Sequence, residues 1–346
     1  MKRTLYLATL LWCWALLVQA QSQINSTVQV HPGGHMGVYG NLNFNSGYVV
    51  TPRSAPGDNI YFTTGATHTG ASDASHVNGY AEEAGNAAFT FPIGDGTSYR
   101  WASIASASTA VNYRAAYFSG DPGSASLPTG SPFATSSRGT GVETVSTVEY
   151  WDIDGSASAS ITLSWNTASN LTTLTGGSPS RLVIVGWNGS QWVNLGQAGG
   201  VSGTLVGTGS VTATNITPNT YTAYTFGSLS LPTVAINSPA NSGTATTSPT
   251  VSGTATPNST VTLTGPNNTT LCTTTASASG AYSCNVTVAA GPTSITAVAC
   301  NTVGCSSPAV SSFTAVGPAS LTVAQPQPGP TTQPISGTAT PGSTVT

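Results

Sequence analysis

Between residues 24 and 63 the apolar side chains fall in pairs two apart: Val28/Val30, Met36/Val38, Leu42/Phe44, Tyr48/Val50 and Ile60/Phe62. Gly and Asn separate the pairs. Alternation of this kind predicts strands with one face turned to a core. The segment 21–65 is therefore read as short-strand β structure, either a sheet layer or a few rungs of a β-helix. Longer runs follow. Val111, Tyr113, Ala115 and Tyr117 alternate with Asn112, Arg114 and Ala116, and Ile161, Leu163 and Trp165 with Thr162 and Ser164. The runs 181–187 and 191–195 flank Asn188-Gly189, a strong hairpin turn. Residues 66–229 are expected to form one antiparallel β-sandwich of roughly eight strands.

A seam is expected at 227–232, because Pro232 cannot donate to a central strand. Residues 233–316 then show seven short runs between turn residues, near 233–237, 249–254, 260–264, 269–274, 280–288, 293–300 and 311–316. Seven strands over such a length is the immunoglobulin-like pattern. The phrase SGTATPNSTVT at 252–262 returns as SGTATPGSTVT at 336–346, an offset of 84 residues. A fixed period marks modules strung in series. Residues 317–346 are read as a linker and the start of a second, truncated repeat, within an array expected to be longer. The fold class expected is all-β, with tandem β-sandwich modules.

Composition sharpens this picture. Charged residues make up 5% of the chain, against ~25% in ordinary globular proteins. All ten acidic residues lie from Asp58 to Asp154, and no charged side chain follows Arg181. No basic patch is available for phosphates, which argues against nucleic acid as a partner. At the start, Lys2 and Arg3 precede an apolar stretch over 5–18 and a small-residue site at Val18-Gln19-Ala20. That is the pattern of a cleaved signal peptide over 1–20, with Gln21 as the mature start. The apolar stretch falls short of the ~20 residues needed to span a bilayer, and no later segment is long enough. The mature chain is thus expected to be secreted or at the cell surface, with no membrane-spanning segment.

Cys13 leaves with the signal, so Cys272, Cys284, Cys300 and Cys305 remain. An even number in an exported chain predicts disulfides. A hairpin turning at 276–280 would set Cys272 opposite Cys284, within bridging distance. Cys300 and Cys305 flank a four-residue loop and would also face each other. The expected pairing is Cys272–Cys284 and Cys300–Cys305, with a long-range pair across the sandwich as the alternative.

Few side chains are candidates for chemistry. His31 and His35 sit in the turn HPGGH with no carboxylate nearby, and a zinc site needs at least three protein ligands. Asp152-Ile153-Asp154-Gly155 resembles the start of a calcium loop, but Ser156, Ala157, Ser158 and Ala159 follow where such loops supply further oxygen ligands. A turn is the favoured reading, and calcium binding stays open. A glycosidase needs two carboxylates facing each other across a sugar. Glu82 and Glu83 are adjacent and point to opposite faces. Asp152 and Asp154 share a face but flank no predicted groove. Neither nucleophile nor phosphate-binding motifs occur. No catalytic residue, metal or cofactor is expected. Trp101, Trp151, Trp165, Trp187 and Trp192 lie on predicted strands; burial in a core is expected, whereas an exposed row would suit sugar stacking.

The stretch TVAINSPANSGTATTSPTVSGTATPNSTVTLTGP, with GAYSCNV after it, resembles the bacterial Ig-like modules strung along exported adhesins and surface proteins. The phrases HTGASDASHVNGYAEEAGNAAFTFPIGDGTSYRWASIAS, VSTVEYWDIDG and WNGSQWVNLG look like a β-domain of large Bacteroidetes-type surface proteins, many of them cargo of the type IX secretion route. These resemblances imply a non-enzymatic adhesin-like protein whose modules act as spacer and contact surface. Its partner would be a surface carbohydrate or another surface protein. The alternative is the carbohydrate-binding accessory region of a large secreted hydrolase whose catalytic domain lies beyond residue 346. A stalk without a ligand is the third reading.

Overall fold

The computed structural model describes residues 21–346, apart from 86, 326–328, 330–333 and 341–342. The segment 1–20, expected to be a signal peptide, lies outside the described residues. The chain divides into two compact units after Leu229. Strands dominate both; the one α-helix among the described residues is Leu171–Thr175.

The first unit begins as three parallel columns. One stacks Gln21–Ile24, Asn41–Phe44 and Thr67–Thr69. The second stacks Val28–Gln29, Val49–Val50, Val77–Asn78 and Ile93–Asp95. The third stacks Met36–Val38, Ile60–Phe62 and Ala81–Ala84. These are three rungs of a three-sided β-helix, with Ile93–Asp95 adding a fourth strand to the second side, and correspond to the second of the two arrangements expected for the short strands. Each side is only two to four residues long, which is why the apolar pairs were so closely spaced. Leu42, Phe44, Ile60 and Phe62 are buried inside as the alternation implies. Two pairs differ. Val28 faces solvent, and Val49 rather than Tyr48 and Val50 is fully buried. A slip of one residue exchanges the faces of a strand, and the stacking of Val49 on Val77 fixes the register here.

The ladder does not stop at residue 65. The third rung runs over 67–84, so the stretch expected to be antiparallel from 66 opens with parallel strands. From Ala81–Ala84 the sheet continues sideways and turns antiparallel. It passes through Asn112–Ser119, Glu149–Asp154, Tyr224–Leu229, Leu182–Trp187 and Trp192–Gly196. A five-stranded antiparallel sheet faces it, in the order Ala88–Phe91, Ala102–Ser106, Ala159–Trp165, Gly209–Ile216, Val201–Gly203. Ile104, Ile161, Leu163 and Val211 from the smaller sheet share one core with Tyr117, Trp151, Ile153 and Phe226 from the larger. The larger sheet is also covered outside. Phe133, from the segment between Ser119 and Val142, is fully buried against Tyr150, Trp187 and Trp192 at centroid distances of 6.2, 6.0 and 6.3 Å.

The second unit holds a β-sandwich. One sheet is ordered Val234–Ser238, Thr250–Ala255, Ala281–Asn285. The other is ordered Thr244–Thr246, Ala309–Val316, Gly291–Cys300, Thr260–Thr264, Thr270–Thr275. Thr244–Thr246 is an eighth strand beyond the seven expected; it pairs in parallel with the end of Ala309–Val316. Val251, Val261, Leu263, Ile295 and Phe313 fill the space between the sheets.

The repeated phrase has a structural counterpart. Val234, Ala235 and Ile236 pair with Ala255, Thr254 and Gly253. In the second copy Leu321, Thr322 and Val323 pair with Ala339, Thr338 and Gly337 in the same register. A hydrogen bond after each strand is also shared: Ser259 Oγ donates to the Thr256 carbonyl at 2.6 Å, and Ser343 Oγ to the Thr340 carbonyl at 2.6 Å. Glycine is required at the second position of the phrase. A Cβ on Gly253 would collide with the Ala235 carbonyl oxygen, and one on Gly337 with that of Thr322.

Candidate functional site

The four cysteines fall into two pairs at bonding distance. Cys272 and Cys284 have Cα atoms 6.6 Å apart, and Cys300 and Cys305 have theirs 4.1 Å apart. The second pair closes the expected loop, where Asn301 N donates to the Gly304 carbonyl at 2.9 Å. The geometry of the first differs from the expected ladder. Cys272 lies opposite Leu263 in the larger sheet, and Cys284 opposite Val251 in the smaller one. The hairpin at 276–280 crosses from one sheet to the other, so the pair joins two sheet edges rather than two partners in one ladder.

The carboxylates singled out in sequence meet in the first unit. Arg114 lies directly opposite Glu82 on one neighbouring strand and Asp154 on the other. Directly opposed residues share a face, so acid, base and acid form one row across three strands. Arg114 donates from Nε and Nη2 to Glu82 Oε2 at 3.1 and 2.9 Å, and its Nη1 lies 3.7 Å from Asp154 Oδ2. Asn59 and Asn112 donate to the same Glu82 carboxylate at 2.7 and 2.9 Å. Burial pushes the Glu82 pKa up, but the hydrogen bonds from Arg114, Asn112 and Asn59 outweigh it and hold the group below its usual value.

Asp152, two residues along the strand from Asp154, is 7% exposed. Tyr80 donates its hydroxyl to Asp152 Oδ2 at 2.6 Å. Burial first, and the neighbouring Asp154 charge second, push the Asp152 pKa up to about 7. Burial also raises Asp154, against the pull of Arg114. Glu83, one residue from Glu82, turns to the opposite face and is fully buried. The adjacent glutamates thus lie on opposite faces, as strand geometry requires. The expectation that Asp152 and Asp154 flank no groove is corrected: with Glu82, Arg114, Asn219 and Tyr221 they line a cleft of about 710 Å³. Pro128 and Thr129, from the segment that covers the outside of the sheet, form part of its wall.

This cleft offers hydrogen-bond donors and acceptors, a carboxyl whose pKa is raised by burial and an arginine already engaged by Glu82. Arg114, Asn59, Asn112 and Tyr80 were not identified from sequence. Arg114 was visible as the one charged residue on an aromatic-rich strand, but its two carboxylate partners follow only from strand register. His31 and His35 are both exposed, and among the described residues no group of three or more His, Cys, Asp or Glu side chains is placed to hold a metal. Trp151, Trp165, Trp187 and Trp192 are buried, while Trp101 is half-buried.

Residues 235–316 match the family model of the bacterial Ig domain. No curated protein matches the chain. Among solved structures, the chain is similar to the fibronectin(III)-like modules of Clostridium thermocellum CbhA, at 16% identity and a TM-score of 0.20, over 25% of this chain and 98% of that one. It is also similar to the BSP domain of a biofilm associated protein, at 19% identity and a TM-score of 0.21, over 49% of this chain and 27% of that one. The second unit thus carries a segment similar to bacterial Ig domains, within a chain that is nearly all β.

Proposed function

We propose that the chain is an exported, non-catalytic surface protein. The Ig-like sandwich of the second unit is the spacer, and the first unit presents the contact surface to a surface carbohydrate or another surface protein. The match of 235–316 to the bacterial Ig domain carries this reading. Two cysteine pairs at bonding distance support an oxidising location. The carboxylate cleft does not argue for turnover: Glu82 is held by Arg114 and two asparagines, and among the described residues no nucleophile–base–orienter set is assembled around it.

Antibodies raised against 21–229 test the proposal on intact cells. They should label cells that express the parent chain, and deletion of 230–316 should lower the labelling. Labelling that appears only after lysis sinks the proposal. Export by the type IX route belongs to the same reading. Surface labelling that persists in a strain lacking that route would remove this part alone.

A further inference from the structure

A second cleft, of about 580 Å³, opens in the first unit at one end of the five-stranded sheet. Ser164, Ser210 and Ser202 lie opposite one another across three strands and line it. The next row is Trp165, Gly209 and Gly203. Trp165 is buried and its Nε1 donates to the Thr204 carbonyl at 3.0 Å. A Cβ on Gly209 would collide with the Trp165 ring, so glycine there lets the ring lie against the backbone.

Trp101 and Tyr99 complete the wall. The Trp101 carbonyl is held by Ser164, from N at 3.2 Å and from Oγ at 2.7 Å. Its indole is half-buried and lines the cleft. Tyr99 N donates to Asp73 Oδ1 at 2.7 Å, which fixes that carboxylate in the cleft. Burial pushes the Tyr99 pKa up to about 12, so its hydroxyl stays a neutral donor. Asn166 receives Arg100 and Ala168 N on Oδ1, which leaves its amide N–H groups for a ligand.

We propose that this cleft binds a neutral saccharide, with a sugar ring stacked on Trp101 and its hydroxyls bonded by Tyr99, Asp73 and Asn166. The proposal rests on the reading that the first unit carries the contact surface, and it names the ligand of that surface. An aromatic face suits the C–H side of a sugar ring, and a few placed donors and acceptors fix its orientation. Among the lining residues the only charged side chain is Asp73, and no Lys, Arg or His faces the cleft. A phosphate, sulfate or uronate therefore has no cation to meet. Trp165 is covered by backbone, so the aromatics do not close around a cation as a cage would.

The test is calorimetric titration of residues 21–346 with cellohexaose, xylohexaose, mannohexaose and chitohexaose, with choline chloride as the cationic probe. At least one oligosaccharide should bind, and Trp101→Ala should lower its affinity by about tenfold or more. Asp73→Asn, which removes no packing, should weaken it too. Tyr39→Ala, at a side chain 85% exposed outside the cleft, should change nothing. Should Trp101→Ala fail to fold, Trp101→Phe and Asp73→Asn carry the test. The inference is overturned if none of the four oligosaccharides binds the folded parent chain. It is equally overturned if the folded variants bind like the parent, or if choline binds in their place. Surface labelling by antibody without saccharide binding would sink this inference and leave the proposed function standing.

Discussion

The substitution Asp152→Asn is expected to stabilise the protein, and to do so only above mildly acidic pH. The folded state raises the pKa of this carboxyl from 3.8 to about 7. Below 3.8 the group carries its proton in both folded and unfolded chains, and its burial costs nothing extra. As pH rises the unfolded chain releases that proton first, so folding loses free energy until the folded group ionises as well. At ~1.4 kcal/mol per tenfold change in proton affinity, the full difference comes to about 4 kcal/mol. Asparagine carries no charge to bury or for Asp154 to repel, so both contributions are relieved and the gain expected is about 4 kcal/mol at about pH 8. Asparagine keeps an oxygen to accept the Tyr80 hydroxyl bond, seen at 2.6 Å. Urea unfolding followed by tryptophan fluorescence suits the measurement, because every tryptophan after residue 20 lies in the first unit. The difference between parent and variant should shrink toward zero at about pH 4. A difference that does not change with pH, or a variant less stable than the parent at about pH 8, would refute the reasoning.

Further outcomes concern the second unit. Gly253→Ala should destabilise the sandwich by about 1–3 kcal/mol, because its Cβ meets the Ala235 carbonyl in the paired strands; a thermal melt unchanged by the substitution contradicts this. Replacing Cys272 and Cys284 together by Ala opens a loop with a separation of 12 residues, and the expected loss is about 3 kcal/mol. Replacing Cys300 and Cys305, with a separation of 5, should cost about 2 kcal/mol. Peptide mapping without reductant checks the pairing, and a peptide joining Cys272 or Cys284 to Cys300 or Cys305 excludes it. Residues 230–316 produced alone should show a β-type circular dichroism spectrum and one cooperative melt, and a disordered spectrum with oxidised cysteines counts against an independent fold.

Much of this architecture was legible because strand periodicity is local. The apolar pairs of 24–63 and the alternation at Val111–Tyr117 report burial on one face without any knowledge of partners. What remained hidden depends on register between distant segments. Val49 is buried because Val77 stacks on it from the next rung, and nothing within residues 48–50 says so. Cys272 and Cys284 meet because their hairpin changes sheets, a geometry that a turn sequence does not encode. The carboxylate row joins Glu82 to Arg114 across 32 residues of sequence, and the cleft beside it exists because a long segment folds over the outer face of the sheet. That covering is signalled only weakly, by Phe133 standing in a stretch otherwise rich in Ser, Gly and Pro.

The identical register of the two repeated hairpins makes their strands interchangeable in principle. The segment around Gly253 is chemically suited to pair with 321–323 as well as with its own neighbour at 234–236. Closing the native pair from Ile236 to Gly253 spans 17 residues, whereas the crossed pair from Gly253 to Val323 spans 70. The difference in closure entropy favours the native pair by about 1 kcal/mol, a narrow margin. Timing adds to it, because the shorter loop is complete before the second copy leaves the ribosome. Once Ala281–Asn285 docks on its other edge, the first copy of the phrase becomes a central strand with no free side to offer. Order of synthesis, rather than any difference between the two phrases, then keeps neighbouring copies from exchanging strands.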